Sequence, residues 1–204
     1  MMKFIFRPLA AGAALALAAC SSPHVRYHTL VSPDSHPGTV MPSSFVIDLL
    51  PVGVPAQLDT QQVVIRQGNS RVAVLDNDLW LSPLGDEIRT ALSTQITQLL
   101  STQDVSGLVS EEGKPVVHIQ VQIRRFDSQP GNAASLDADW SLSTRRGGQR
   151  SRMVCSTHLT QSVTGDYSQL FIAWQSLTAQ LATKIAQTTK QWSVNSAAPT
   201  CPQM

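Results

Sequence analysis

Charge is scarce in this sequence: only 14 % of its 204 residues are charged, with 15 basic side chains against 14 acidic. Two of the basic ones, Lys3 and Arg7, lie in an N-terminal segment expected to be removed, which leaves 13 basic against 14 acidic. A near-neutral chain lacks the basic face that displaces counterions from a phosphate backbone, so a nucleic-acid partner is excluded. Catalytic signatures are missing as well. No Gly-x-Ser-x-Gly elbow, His-Glu-x-x-His, phosphate loop or Gly-x-Gly-x-x-Gly occurs. The histidines, His24, His28, His36, His118 and His158, stand at no metal-ligand spacing, and His118 and His158 read as solvated strand residues. Asp137 and Asp139 flank Ala138 on the polar side of a strand and would need a further hard ligand to hold a cation. No metal, other cofactor or enzyme activity is therefore expected. Internal repeats and heptad seams are absent too.

Cysteine is rare, with three in the chain, and the first is the most informative. Met1 to Arg7 is positively charged, and Leu9 to Ala19 is a small-and-apolar run of signal-peptide length, too short to cross a bilayer. It ends in Leu17-Ala18-Ala19-Cys20, which resembles a bacterial lipoprotein signal, where the cysteine is lipidated and becomes the first residue. Cys20 is accordingly read as the membrane anchor. In lipoproteins of this kind, Ser21 in place of an aspartate implies sorting to the outer membrane, facing the periplasm. Cys155 and Cys201 then remain in an oxidising compartment, where two spare cysteines favour a disulfide. It would close a loop of about 45 residues, worth ~4 kcal/mol on the chain-entropy account. The alternative is a buried thiol at 155 beside a disordered tail at 201.

The pattern divides the chain into a signal segment, 1–19, a lipidated tether, 20–44, a domain, 45–192, and a polar C-terminal tail, 193–204. Pro23, Pro33, Pro37 and Pro42 mark the tether, within which Tyr27 to Leu30 has the look of a short strand. Strands are expected at Phe45–Leu50, and as a hairpin at Gln62–Arg66 and Arg71–Leu75. Ser82 as N-cap and Pro83 at the first helical position open a helix with Asp86 and Glu87 in its first turn. Leu84, Ile88, Leu92, Ile96 and Leu99 form its apolar stripe.

Three alternating segments follow, at Val117–Ile123, Leu136–Leu142 and Met153–Leu159, with a bulge at Arg125-Phe126. A second helix is capped by Asp166, with Gln169 three residues on. Its stripe is Tyr167, Leu170, Trp174, Leu177, Leu181, Ile185 and Thr188, running to about Trp192. The order βββα-βββα implies an α+β two-layer sandwich: a mostly antiparallel sheet with both helices packed on its dry face. Trp80, Trp174 and Tyr167 are assigned to the core. Arg145, Arg146, Arg150 and Arg152 surround a glycine turn. They read either as charges that keep an exposed hairpin tip soluble, the simpler reading, or as a contact for anionic headgroups or an acidic partner.

Several short elements fall in a recognisable order. Val54-Pro55 with Leu58-Asp59, Val64 to Arg66, and Trp80 to Leu84 match a Val-Pro-x-x-Leu-Asp element, a Val-x-Arg strand and a Trp-x-x-Pro-Leu helix start. Tyr27 to Leu30, Val121 to Phe126, Leu136 to Trp140 and Gly165 to Tyr167 complete the series. Together they resemble the PqiC family of ABC-type transport auxiliary lipoproteins. Leu81 departs from that pattern, as do Cys155 and Cys201. The resemblance implies an outer-membrane subunit of an intermembrane lipid-transport system that supports envelope integrity. Its partners would be an MCE-type tunnel protein like PqiB and an inner-membrane protein like PqiA, and it would form a homo-oligomer, a ring being the expected shape. Strand edges, the hairpin Ser143 to Arg152 and the loop Val52 to Leu58 are the expected contact surfaces. A structural or assembly lipoprotein of the outer membrane is the alternative, and an enzyme the weaker one.

Overall fold

The structure is a computed structural model, described for residues 24–33, 42–108, 113–146, 149–165, 167–194 and 200–202. The signal segment, Cys20, His36, the Gly147-Gly148 turn and the Asp166 cap lie outside the described residues. The elements run β1 (Arg26–His28), β2 (Val46–Leu49), β3 (Gln62–Arg66), β4 (Val72–Trp80), α1 (Leu84–Leu100), β5 (Val116–Gln129), β6 (Ala133–Arg146), β7 (Gln149–Ser162) and α2 (Tyr167–Val194).

These form an α+β sandwich, but the strands divide between two sheets rather than one. One sheet has the order β1-β4-β3 and the other β2-β5-β6-β7. The two halves of the sequence do not map onto the two sheets, because β2 leaves the first half to pair in parallel with β5. β1 likewise pairs in parallel with β4, placing His28 opposite Trp80. Period-two patterning reveals which face of a strand is buried, not which strand it joins, so neither parallel pairing is visible in it. The β5–β7 meander follows the alternation closely. Val117, Ile119, Val121 and Ile123 are buried, as are Leu136, Ala138, Trp140 and Leu142. The register shifts between Ile123 and Arg125, where the alternation slips.

Both helices pack into the same core. Leu84, Ile88, Leu92 and Ile96 are buried, but Leu99 is 48 % exposed and Leu100 takes its place. From Ile96, an i+4 step stays on the buried face while an i+3 step rotates off it. The N-cap of α1 is Pro83, not Ser82, and it makes no side-chain cap. The carbonyl of Pro83 accepts from the N–H groups of Asp86 and Glu87, while the Ser82 hydroxyl turns to Glu87. In α2, Thr178, Thr188 and Thr189 are buried, and each hydroxyl donates to the carbonyl four residues back. That local bond lets a threonine enter an apolar interface without an unmet donor. Tyr167, expected in the core, is half-exposed at the start of this helix.

α1 ends on Ser101, whose φ of 49° is left-handed, with the next N–H returning to Thr97. A non-glycine residue in that region costs about 1 kcal/mol, and the buried Ser101 hydroxyl has no partner. Ser101→Gly is therefore expected to raise stability by about 1 kcal/mol, a rise in melting temperature of roughly 2–4 °C. A melting temperature that stays level or falls would refute this account of the cap.

Candidate functional site

The stretch read as a tether from its prolines is partly inside the fold. β1 lies on β4, and Leu30 is wholly buried. Arg26 reaches Asp78 through two bonds, Nε to Oδ1 at 2.8 Å and a terminal nitrogen to Oδ2 at 2.7 Å. His28 Nε2 stands 2.8 Å from the same carboxylate, and its ring stacks on Phe171 of α2 at 3.5 Å between centroids. Glu87, buried in the first turn of α1, accepts from the Thr29 hydroxyl at 2.9 Å, the Leu30 N–H at 3.0 Å and the Ser82 hydroxyl at 3.1 Å. Gln175 of α2 donates to the Thr29 carbonyl at 2.9 Å. Residues 26–30 are thus clasped by β4, α1 and α2. Prolines on both sides hid this, and the one signal in the sequence was the aromatic-and-leucine run Tyr27 to Leu30.

Two carboxylates inside the fold are held low. Arg26's hydrogen bonds keep Asp78 below its ordinary 3.8, and His28 helps, against an opposing effect of burial. At Asp104, burial pushes upward but is outweighed by hydrogen bonds from the hydroxyls of Ser106 and Ser93 and the N–H groups of Leu49 and Ser106. That aspartate ties the middle of α1, at Ser93, to Leu49 of β2 and to Ser106 in the loop after the helix. Because both groups bind protons more weakly folded than unfolded, acid favours the unfolded chain. Their stabilisation is whole above the ordinary carboxylate range and is lost as pH falls through the depressed folded values. The urea midpoint is expected to stay level from about pH 7 to 5 and to fall below about pH 4. Asp78→Asn with Asp104→Asn should flatten that fall, and an equally steep fall would show that other acids carry it.

The expected contact surfaces lie on two sides of the domain. On the outer face of the four-stranded sheet, Gln120, Gln122, Arg124, Asp139, Ser141 and Arg152 line an open depression. Asp139 is bonded there by Arg124 and Ser156. At the hairpin above, Arg145 stands opposite Arg150, and Arg146 opposite Gln149. Arg145, Arg150 and Arg152 are exposed and have no acidic partner among the described residues. Like charges in direct register repel. His118 and His158 lie on the same outer face, paired with Asp48 and Asp137.

The loop after β2 is fastened along β5, with the Gly53 N–H on the Val121 carbonyl and the Ile123 N–H on the Gly53 carbonyl. Its end forms one wall of a groove of about 480 Å³ with Val64, Val72, Val74 and Phe126, rimmed by Arg66 and Arg125, which share Asp127. Beneath lie Trp80 and Trp174, and the buried indole N–H of Trp174 has no partner. Cys155 and Cys201 are joined in a disulfide with 5.6 Å between their Cα atoms. Cys155 is buried under the sheet, so the bond pins the tail against β7. No group of metal-ligating side chains, and no helix long and apolar enough to cross a membrane, occurs among the described residues.

The family model for the ABC-type transport auxiliary lipoprotein component matches residues 28–186, from β1 through most of α2. A crystal structure of an uncharacterized protein superposes with a TM-score of 0.62 at 20 % identity, covering 81 % of this chain and 98 % of the other. Protein XCC0632 from Xanthomonas campestris superposes with a TM-score of 0.57 at 14 % identity, covering 86 % of this chain and 99 % of that one. At such identities the likeness is one of fold. No curated protein matches the chain.

Proposed function

The chain belongs to the family of ABC-type transport auxiliary lipoprotein components, and on that footing we propose that it is the outer-membrane subunit of an intermembrane lipid-transport system of the MCE type. The observation that carries this reading is the extent of the match. The family pattern spans the folded domain from the clasped β1 onward, and a signal-like segment with Cys20 stands immediately before it. In this reading Cys20 is acylated, the domain faces the periplasm, and the protein contributes binding rather than chemistry. Its partners are a tunnel-forming protein, an inner-membrane protein and further copies of itself.

The sheet edges support assembly. β7 is an outer strand of 14 residues with no proline, no lysine and no register shift, though it carries Arg150 and Arg152 and holds the tail at Cys155. The opposite edge, β2, is covered by residues 103–105 through bonds at Ile47. Exposed arginines at the hairpin end of that strand would tune association more than they hold a core.

Affinity isolation from solubilised membranes tests the reading. The wild-type chain is expected to bring down an MCE-type tunnel protein, and Arg145→Glu with Arg150→Glu to recover less of it. In parallel, Cys20→Ser should leave the outer-membrane fraction or fail to be processed. Recovery of peptidoglycan or an outer-membrane barrel alone would favour a bracing role, and unchanged fractionation of Cys20→Ser would end the lipoprotein reading.

A further inference from the structure

The hairpin of β3 and β4 is apolar on both of its faces. Val63 and Ile65 are buried in the core, and Ala73 and Leu75 pack against it. The other face carries Val64 opposite Val74 and Arg66 opposite Val72, and side chains directly opposite one another share a face. Val72 and Val74 are 57 % and 56 % exposed. A strand pair with one wet face carries polar side chains there, so three valines on this face need a reason. Together with the loop wall at Leu58 and with Phe126 of β5, they line the groove of about 480 Å³, inside the range of about 300–1,000 Å³ usual for ligand sites. The groove is also supported from beneath. Phe126 stacks on Trp174 with 5.2 Å between ring centroids, and Trp174 lies 5.3 Å from Trp80. Rigid, buried rings of this kind leave little to collapse into the space.

The edge of the groove is cationic. Arg66, Arg124 and Arg125 line it against a single aspartate, Asp127, while Asp76, two residues beyond Val74 on β4, does not line it. The register shift between Ile123 and Arg125 leaves two consecutive arginines exposed, and a bulge of this kind re-aims side chains beside a site. Arg124 is bonded to Asp139 on the outer face of the sheet. Arg66 donates from Nε to Asp127 at 2.6 Å and from a terminal nitrogen to the Asn69 carbonyl at 3.1 Å. Arg125 approaches Asp127 only to 3.6 Å, too far for a hydrogen bond, so its guanidinium keeps its donors for a ligand. An apolar trough with surplus guanidinium at its edge is complementary to a molecule with a hydrocarbon body and an anionic end.

We propose that the groove beside Phe126 is a binding site for one anionic phospholipid, with an acyl chain laid along Val64, Val72 and Val74 and the headgroup phosphate held by Arg125 and Arg66. The valines provide the hold, and the arginines select the charge of the headgroup. The domain then carries a lipid itself, in addition to joining the proteins that move it. The inference rests on the lipid-transport reading above for the source of the lipid.

The test uses the full lipidated chain, purified in a maltoside detergent. Photoreactive benzoyl-phenylalanine is placed at Val72 or, as controls, at Leu99 or Val154, which are exposed outside the groove. Phosphatidylglycerol is added, the sample is irradiated, and the mass of the intact chain is measured. The expected result is one lipid adduct at position 72 and none at 99 or 154. Phosphatidylcholine, whose headgroup is zwitterionic, should label position 72 less well. Arg125→Gln should lower labelling by phosphatidylglycerol roughly tenfold, the loss of one charge-assisted hydrogen bond, and erase the preference between the two lipids. Val74→Glu, which puts a carboxylate in the trough, should abolish labelling. Both substitutions are at exposed positions, and an unchanged melting temperature establishes that the fold is intact. Equal labelling at 72, 99 and 154, or by the two lipids in the wild type, overturns the proposal. So does a cross-link from 72 to a second copy or another protein in place of lipid. Recovery of the tunnel protein and fractionation of Cys20→Ser are separate measurements. An empty groove in a chain that passes both overturns this site alone, and failure of those two removes the transport reading whether or not the groove fills.

Discussion

Cys201→Ala is expected to lower the stability of the domain by about 3–4 kcal/mol, the value for a cross-link that closes a long loop of the unfolded chain. The two cysteines are 46 residues apart, and the loop between them contains the whole of α2. Cutting the bond at 201 is the cleaner choice, because Cys201 is exposed while Cys155 is buried and keeps its packing. The loss should be matched by adding a reductant to the wild type and should be absent when reductant is added to the variant. Urea unfolding with and without dithiothreitol reads both. A variant as stable as the oxidised wild type would mean that the tail contributes nothing to the fold.

Glu87→Ala is expected to cost about 3 kcal/mol. The carboxylate accepts three hydrogen bonds in a buried setting, and bonds to charged groups are each worth about 1.5–3 kcal/mol. Its removal leaves the Leu30 N–H without an acceptor, and an orphaned buried donor carries its own penalty of about 1–3 kcal/mol. These figures are not additive, because a water entering the space left by the side chain recovers part of the loss. The damage should be local before it is global. Amide exchange is expected to rise first at Leu30 and Val31, and Glu87→Gln, which keeps one carbonyl acceptor, should fall between the two. Unchanged exchange at Leu30 in Glu87→Ala would show that the clasp does not depend on this residue.

What the sequence reveals and what it conceals divides along physical lines. The meander from Val116 to Ser162 and the stripes of both helices are visible because burial imposes periods of two and 3.6. Tyr167 is misplaced for a related reason: a stripe marks a face, but not where along the helix the neighbouring layer stops, whereas Leu99 stands one residue off the face that Leu100 buries. The parallel pairings of β1 and β2 leave no periodic trace, since a three- or four-residue strand is too short to show one. Glu87 was visible only as a first-turn acid, a place where glutamate is common on helix electrostatics alone. Nothing local distinguishes it from Asp86, which is exposed. The cysteine pair was legible by count, whereas the alignment of the tail beside β7 was not. The groove beside Phe126 was half legible. Its loop wall was marked by Val54-Pro55 and Leu58, but its arginine rim comes from two strands sixty residues apart.

The clasp also bears on the order in which the chain folds. His28 draws on Asp78, fifty residues later, and on Phe171, while Thr29 is bonded by Gln175 at a separation of 146 residues. Contacts this distant are made only after intervening loops have closed, and chains rich in them fold slowly. β1 is made first, yet it is fully held only once α2, the last element, has followed it. This first strand is therefore among the last elements to be placed. Until then, the sheet edge at β4 and the closing helix must find each other without it.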